Sequence, residues 1–417
     1  MPGKSSFSRR KFLSEGVLAA AGVAALGLPA FAQTSTSGHA STSAQTPTNG
    51  KTIRLGLIGS GSRGCGLASL VKEMPGIELS ACCDIIPANL QEGMKIAGPR
   101  AKAYTDYRKL LEDKGLDAIL IATPLFLHYQ MAVDALDAGK HVYLEKSMTY
   151  DIPQVFDLKK KVQQSGQVLQ VGYQYRYYGL YQKVKEIIDQ HWLGRVTHYE
   201  CQYNRNSNWR NPVSDPKLEK TINWRMYRAY CGGPLSELCA HEIDMVNYLT
   251  GAHPLRVTGM GGINYWKDGR DTYDNIRTIY EYPGGVKAAF NSVLSNAYNG
   301  YNIRILGDKA TVEIQREKAF IYPESTENKR GTVDGVTGAT IPSVTQGTPV
   351  EISFKKPGEE DLEPTSYALA DFFECIRTGK APVSNVITAG QTSIAIHLGN
   401  KAMDTQTWQS WQPEYNI

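Results

Sequence analysis

Cysteine is scarce in this chain and nowhere arranged for use. The 417 residues hold seven cysteines, at positions 65, 82, 83, 201, 231, 239 and 375. No C-x-x-C pair and no histidine at zinc-finger spacing accompanies them, which argues against a disulfide framework and against a metal site. Cys82 and Cys83 fall inside an apolar run and read as small core residues. An excess of one charge is missing as well, since 45 Lys and Arg stand against 41 Asp and Glu. Lys4, Arg9, Arg10 and Lys11, less Glu15, supply +3 of the formal +4, so the chain beyond residue 32 carries about +1. That balance points away from nucleic acid and acidic membranes as partners. What is present, 41% apolar and 21% charged residues, suits a large core divided between two domains.

The N-terminus has its own pattern. Ser8-Arg9-Arg10-Lys11-Phe12-Leu13 precedes the apolar run Gly16–Leu28, and Pro29-Ala30-Phe31-Ala32 follows it. Residues 1–32 read as a twin-arginine export signal with an A-x-A cleavage site before Gln33. The run is too short to span a bilayer comfortably, and no cysteine follows the site to take a lipid. A periplasmic location, the twin-arginine export machinery as a partner and no stable membrane anchor are expected. Residues 33–50, almost all Ser, Thr, Gly, Ala and Gln, cannot bury enough apolar surface to fold and read as a disordered linker.

Residues 51–175 carry the rhythm of a doubly wound α/β domain, a Rossmann fold with a parallel sheet. The strand Ile53–Ile58 runs straight into Gly59-Ser60-Gly61-Ser62-Arg63-Gly64, a G-x-G-x-x-G turn that opens a helix with Leu67, Leu70, Val71 and Met74 on one stripe. The first glycine suits a tight turn, the second lets backbone approach a pyrophosphate, and the third lets helix and strand pack closely. Free N–H groups at that helix start would receive the pyrophosphate. The next strand, Glu78–Cys83, ends at Asp84, whose carboxylate can accept from ribose hydroxyls. Ile85-Ile86-Pro87 follow without an arginine for a 2′-phosphate, which favours NAD over NADP. The strand Asp117–Ala122 ends at Thr123-Pro124, which with His128 would line the cofactor. The strand His141–Leu144 closes on Glu145-Lys146-Ser147, where this fold keeps its chemistry.

From residue 176 the pattern changes to consecutive strands between Val196 and Tyr322, which indicates an α+β domain on a large, mainly antiparallel open sheet. One face of such a sheet is left over, and a large apolar face would be a liability in a monomer, so a homo-oligomer is expected. Asn206–Tyr230 is rich in aromatics and arginines suited to sugar faces and hydroxyls. Trp209, Arg225 and Tyr227 in it, with Arg176 before it, are candidate substrate contacts. Ser325–Gly347 reads as a surface loop without chemistry. Pro234–Thr250 reads as one helix, with Glu237, His241, Asp244 and Tyr248 sharing a face. Asp244 would orient or cap, in reach of substrate. Helices Ser366–Arg377 and Ile387–Met403 close the chain, so the domains run 51–175 and 176–365, with C-terminal helices over 366–417.

GLIGSGSRG, IATP with its following histidine, ALDAGKHVYLEKS, QVGYQYRY and AHEIDMVNYLTG resemble, in order and spacing, the Gfo/Idh/MocA family of glucose–fructose oxidoreductase and inositol dehydrogenase relatives. The likeness covers about residues 52–405. It implies an NAD(P)-dependent oxidoreductase of sugars, sugar derivatives or cyclitols, with closing helices that return to the first domain. The family's E-K-P appears as Glu145-Lys146-Ser147, and its D-x-x-x-H as Glu237 to His241. His241 would then be the base, Lys146 the electrophilic donor, and Glu237 the group that orients them. Twin-arginine export carries folded proteins, so a tightly bound cofactor would travel with the chain and be regenerated in place. A redox-neutral NAD-dependent glycoside hydrolase is the second reading, and a non-catalytic sugar- or nucleotide-binding protein the third.

Overall fold

The computed structural model describes residues 50–329, 332–333, 336–337, 343–355 and 360–417. The expected export signal and all of the linker but Gly50 lie outside the described residues. From β1 (Ile53–Ile58) the chain alternates with helices: α1 (Ser62–Lys72), β2 (Ile77–Cys83), α2 (Pro87–Ala97), β3 (Lys102–Tyr104), α3 (Tyr107–Leu111), β4 (Ala118–Ile121), α4 (Leu125–Asp137), β5 (His141–Leu144), α5 (Ile152–Ser165) and β6 (Leu169–Val171). The six strands pair in parallel in the order β3-β2-β1-β4-β5-β6. β1 and β4 lie innermost and bury nearly every residue, which is why they read as unbroken apolar runs. Strand order reverses between them, and the crevice beyond their carboxyl ends is where such sheets take ligands. On the expected helical stripe Leu67 and Val71 are fully buried against Leu55 and Leu57, while Leu70 and Met74 are partly covered.

After a 3-10 turn (Gln174–Tyr177) and α6 (Gly179–Asp189), a second sheet begins with β7 (Val196–Tyr203). Short α7 (Glu219–Ile222), then α8 (Gly233–Glu237) and α9 (Ala240–Thr250), precede β8 (Arg256–Gly262), β9 (Asn275–Glu281), β10 (Lys287–Val293), β11 (Tyr301–Gly307), β12 (Ala310–Gln315) and β13 (Lys318–Lys329). β14 (Thr332–Val333) and β15 (Val336–Thr337) form a separate hairpin, and β16 (Ser343–Gln346) and β17 (Val350–Glu351) both pair with β13. The Thr-rich stretch expected as a loop therefore contributes strands where it is described, in keeping with the β preference of threonine. α10 (Pro364–Thr378), α11 (Val386–Thr405) and β18 (Gln409–Ser410) end the chain.

The large sheet runs β16-β13-β12-β11-β7-β10-β9-β8-β18, with β17 beside β13. Most pairs are antiparallel, but β7 and β10 are parallel, so the sheet is mixed. Register sorts its two faces. Tyr199, Ile305, Ala288, Tyr280 and Val257 form one cross-strand row, all buried beneath the helices. The next row, Glu200, Arg304, Ala289, Ile279 and Thr258, faces outward. Arg304 pairs with Glu200 there at 2.7 Å, while Ile279 and Met260 are exposed. The open face is thus mixed in polarity, where a large apolar face would have carried the argument for a partner subunit.

Candidate active site

The glycine turn is built as its sequence requires. Gly59 has φ +89°, and a Cβ on it would lie 2.6 Å from the carbonyl oxygen of Ala122. A Cβ on Gly64 would collide with the carbonyl oxygen of Gly59, so the third glycine permits the close packing of α1 on β1. Gly61 is different: it has ordinary φ, and a Cβ there would meet only Asn89, at 3.9 Å. Its missing side chain leaves open space above the turn. α1 has no side-chain cap and no acid in its first turn, so its first N–H groups stay available to an anion. Asp84 closes the turn by accepting from the N–H of Ser60 at 2.9 Å, the N–H of Ile86 at 2.8 Å and Asn89 Nδ2 at 3.5 Å. Three donors leave a carboxylate about one free acceptor position. The Ser60 and Thr123 hydroxyls beside the turn are buried without a partner, as expected where a polar ligand completes the bonding. Nicotinamide-dinucleotide chemistry fits this cradle.

Three expected cofactor contacts, His128, Arg63 and Glu145, have protein partners of their own. His128 lies in α4, which begins at Leu125, and both its ring nitrogens face carbonyls, Nδ1 that of Ser147 at 2.7 Å and Nε2 that of Thr123 at 2.9 Å. Burial holds its pKa below the ordinary histidine value, so a neutral ring donates to one of the two and braces the loops. Pro124 is the residue before the first turn of that helix. Arg63 Nε donates to Glu145 Oε1 at 2.8 Å and Arg63 Nη2 to Thr365 Oγ1 at 3.3 Å. Glu145 fits because residue 172 is glycine, where a Cβ would lie 3.0 Å from Glu145 Oε1.

Lys146 is where the halves of the chain meet. The single helix expected over Pro234–Thr250 is broken: Leu238 has φ −114° and ψ −66°, and Leu238 N and Cys239 N both donate to Pro234 O. In a continuous helix the carbonyls of Ser236 and Glu237 would be bonded by residues four further on. The break frees both. Ser236 O accepts from Ser147 Oγ at 3.1 Å, and Glu237 O accepts from Lys146 Nζ at 3.0 Å. Lys146 and Ser147 are joined by a cis peptide. The Glu237 carboxylate, expected to orient the pair, turns instead to Arg225 Nε at 3.0 Å. It is the backbone of residue 237 that positions Lys146.

His241, one residue into α9, lines a cavity of about 220 Å³ together with Arg63, Gln174, Tyr175, Tyr203 and Arg316. Tyr175 meets its ring edge-on at 5.4 Å and Tyr173 at 6.2 Å. Among the described residues, His241 Nδ1 is sealed from solvent without a partner, as is Gln174 Oε1. Burial, then the charges of Lys146, Arg63 and Arg316, keep its pKa well below the ordinary value. A neutral imidazole beside an ammonium can take a proton from a hydroxyl while positive charge faces the oxygen.

The remaining candidates lie apart from this cavity. Arg176 and Asp244 form a buried two-pronged ion pair, at 2.8 and 2.9 Å, with Thr392 Oγ1 also donating to Asp244. Neither lines the cavity. Arg225 lies over Trp224, its guanidinium 4.0 Å from the ring centroid. Tyr227 Oη donates to Glu219, and Trp209 holds a turn at φ +61°. None of Trp209, Arg225 and Tyr227 lines the cavity. Conversely, Gln174 and Tyr175 were in view within QVGYQYRY, whereas Tyr203 and Arg316 carried no signal. They sit at a strand end and a hairpin tip, and only the sheet brings them together.

Residues 53–173 match an oxidoreductase family with an NAD-binding Rossmann fold, and residues 181–313 match the GFO/IDH/MocA C-terminal domain. Inositol 2-dehydrogenase/D-chiro-inositol 3-dehydrogenase of Lactiplantibacillus plantarum is 30% identical over 267 residues, 63% of this chain and 71% of that protein. The scyllo-inositol 2-dehydrogenase (NAD(+)) of Bacillus subtilis is 24% identical over 342 residues, 81% of this chain and 90% of that protein. Levoglucosan dehydrogenase in complex with NADH and L-sorbose shares the fold with a TM-score of 0.70 at 18% identity, over 86% of this chain and 99% of the other. With both sheets, the glycine turn and the His241 cavity in place, the chain belongs to the Gfo/Idh/MocA family of NAD-binding oxidoreductases.

Proposed function

We propose that this protein oxidises a secondary hydroxyl of a sugar, sugar derivative or cyclitol, with His241 and Lys146 as its catalytic residues. Family membership makes it an NAD-dependent oxidoreductase acting on CH–OH groups. The observation that carries the residue assignment is the buried, unpartnered Nδ1 of His241 at a cavity on which the charge of Lys146 acts. When bound, the nicotinamide supplies the acceptor for the hydride that leaves the substrate carbon. The uncapped start of α1, the space above Gly61 and the Asp84 carboxylate would hold the dinucleotide, and the absence of a cation in Ile85-Ile86-Pro87 favours NAD. Neutral His241 takes the hydroxyl proton, so that an O–H bond breaks and an N–H bond forms. Lys146, held by the Glu237 carbonyl, stabilises charge on the substrate oxygen as the carbonyl develops.

The residues Arg9-Arg10 support export by the twin-arginine route with the cofactor already bound. A second substrate would then return the reducing equivalents. The test begins with mass spectrometry of the native protein, which should find NAD. Steady-state rates on free sugars and cyclitols follow. His241→Ala and Lys146→Met should each lower turnover roughly 10²- to 10⁴-fold. Folded variants that kept full turnover would refute the assignment, and aglycone release from aryl glycosides without net NADH would move the reading to a redox-neutral hydrolase.

A further inference from the structure

The His241 cavity does not end at its own walls. Tyr203 and Arg316 are shared with an adjoining cavity of about 520 Å³, whose lining includes Arg205, Asn206, Ser207 and Asn299 and contains no carboxylate. Two guanidiniums meet there on one neutral atom: Arg205 Nη2 donates to Tyr203 Oη at 2.7 Å and Arg316 Nη2 to the same oxygen at 2.6 Å. Both also lie over the Tyr203 ring, at 5.0 and 5.8 Å from its centroid. A phenol oxygen orients two cations but cancels neither. Around the site Arg63, Arg176, Arg210 and Arg225 each have a carboxylate within 4.0 Å. Among the described residues, Arg205 and Arg316 have none. A guanidinium carries five N–H donors, so most of theirs remain for a ligand.

Arg316 also occupies a backbone position that does not suit it. It sits at the tip of the β12–β13 hairpin with φ +65°, a region favouring glycine or asparagine. Holding a long cationic side chain there costs backbone strain, and such strain collects at sites where the side chain is used. The acids nearby are otherwise placed. Glu363 accepts from the N–H and hydroxyl of Thr365, and Glu317, which lines the inner cavity, acts on Arg316 through its charge but, among the described residues, makes no hydrogen bond or ion pair with either arginine.

We propose that Arg205 and Arg316 form an oxyanion-binding subsite beside His241, and that the substrate is an anionic sugar whose carboxylate or phosphate sits on these guanidiniums. This rests on the reading of His241 and Lys146 as the site of hydroxyl oxidation. Paired planar forks recognise carboxylate and phosphate through parallel charge-assisted hydrogen bonds. The polar side chains of the outer cavity would meet the remaining hydroxyls. An anion on Arg316 would also offset one of the positive charges that hold His241 deprotonated.

The test is calorimetric binding to the full chain with NAD present. D-glucuronate and D-glucose 6-phosphate are compared with D-glucose, and D-galacturonate with D-galactose. The expected result is at least one anionic sugar binding about tenfold or more tightly than its neutral parent, from one or two charge-assisted bonds. That advantage should shrink with added salt, fall towards one in Arg205→Gln/Arg316→Gln, and return in part in Arg205→Lys/Arg316→Lys. The uronate and phosphate arms decide which oxyanion it is. An advantage that survives in the Gln double variant, or neutral sugars binding as tightly as every anionic partner, overturns the subsite. NADH formation in the same samples separates the two ideas. Anionic sugar bound without oxidation upholds the subsite and removes the reading of His241 and Lys146 as the place where that sugar's hydroxyl is oxidised, whereas oxidation without charge preference does the reverse.

Discussion

His241 and Glu242 are neighbours in sequence with opposite surroundings. The histidine opens onto the cavity, while the Glu242 carboxyl is fully enclosed and neither oxygen has a partner. Burial pushes the Glu242 pKa up to about 8. Below about pH 4.5 the folded and unfolded chains are both protonated there. Between that pH and about 8 only the unfolded chain ionises, so stability falls as pH rises, by at most about 1.4 kcal/mol per pH unit. Glu242→Gln should flatten the pH dependence of unfolding across that window, measured by urea melts at several pH values. Arg176 and Asp244 give a second prediction at this scale. Arg176→Met strands a buried carboxylate and should cost about 3–5 kcal/mol, whereas Arg176→Met/Asp244→Leu should recover most of it. Sequence periodicity put Asp244 on the same face as His241, but periodicity assigns faces only along an unbroken helix and says nothing of a partner 68 residues away.

Elements were legible where a period was long and unopposed. β1, α1 and β5 lie where the apolar runs and the helical stripe put them, because in a parallel sheet burial on both faces leaves few alternatives. The helix break was not legible, since Leu238 and Cys239 are ordinary apolar residues that suit a continuous stripe; tertiary bonds to the Lys146 loop decide the matter. The glycine turn separates two kinds of glycine. Gly64→Ala should destabilise the fold, because its Cβ meets the backbone of Gly59. Gly61→Ala should leave the melting temperature within a degree or two of the parent without cofactor, yet weaken NAD binding about tenfold or more, since its space is empty until a ligand arrives. Thermal melts with and without NAD distinguish the two.

At the scale of the whole molecule, the chain closes on itself. Leu369, Phe372 and Phe373 of α10 sit in the same buried cluster as Leu55, Leu57 and Leu67, more than 300 residues earlier. The first domain therefore lacks a complete core until the last helices are in place. Phe372→Ala should cost about 3–5 kcal/mol, and the loss should appear in hydrogen exchange of β1 and β4 although the substitution lies in α10. That long-range closure was expected from family resemblance and not from periodicity, which carries no information on which surface a helix covers. The freed carbonyls of Ser236 and Glu237 tie the same halves together at the site. Because Lys146 is fastened to main chain, the side chain at 237 can vary without unseating the ammonium. The ion pair between residues 225 and 237 and the anchoring of the ammonium are thus separate duties of one short stretch of chain, and a change in the first leaves the second in place.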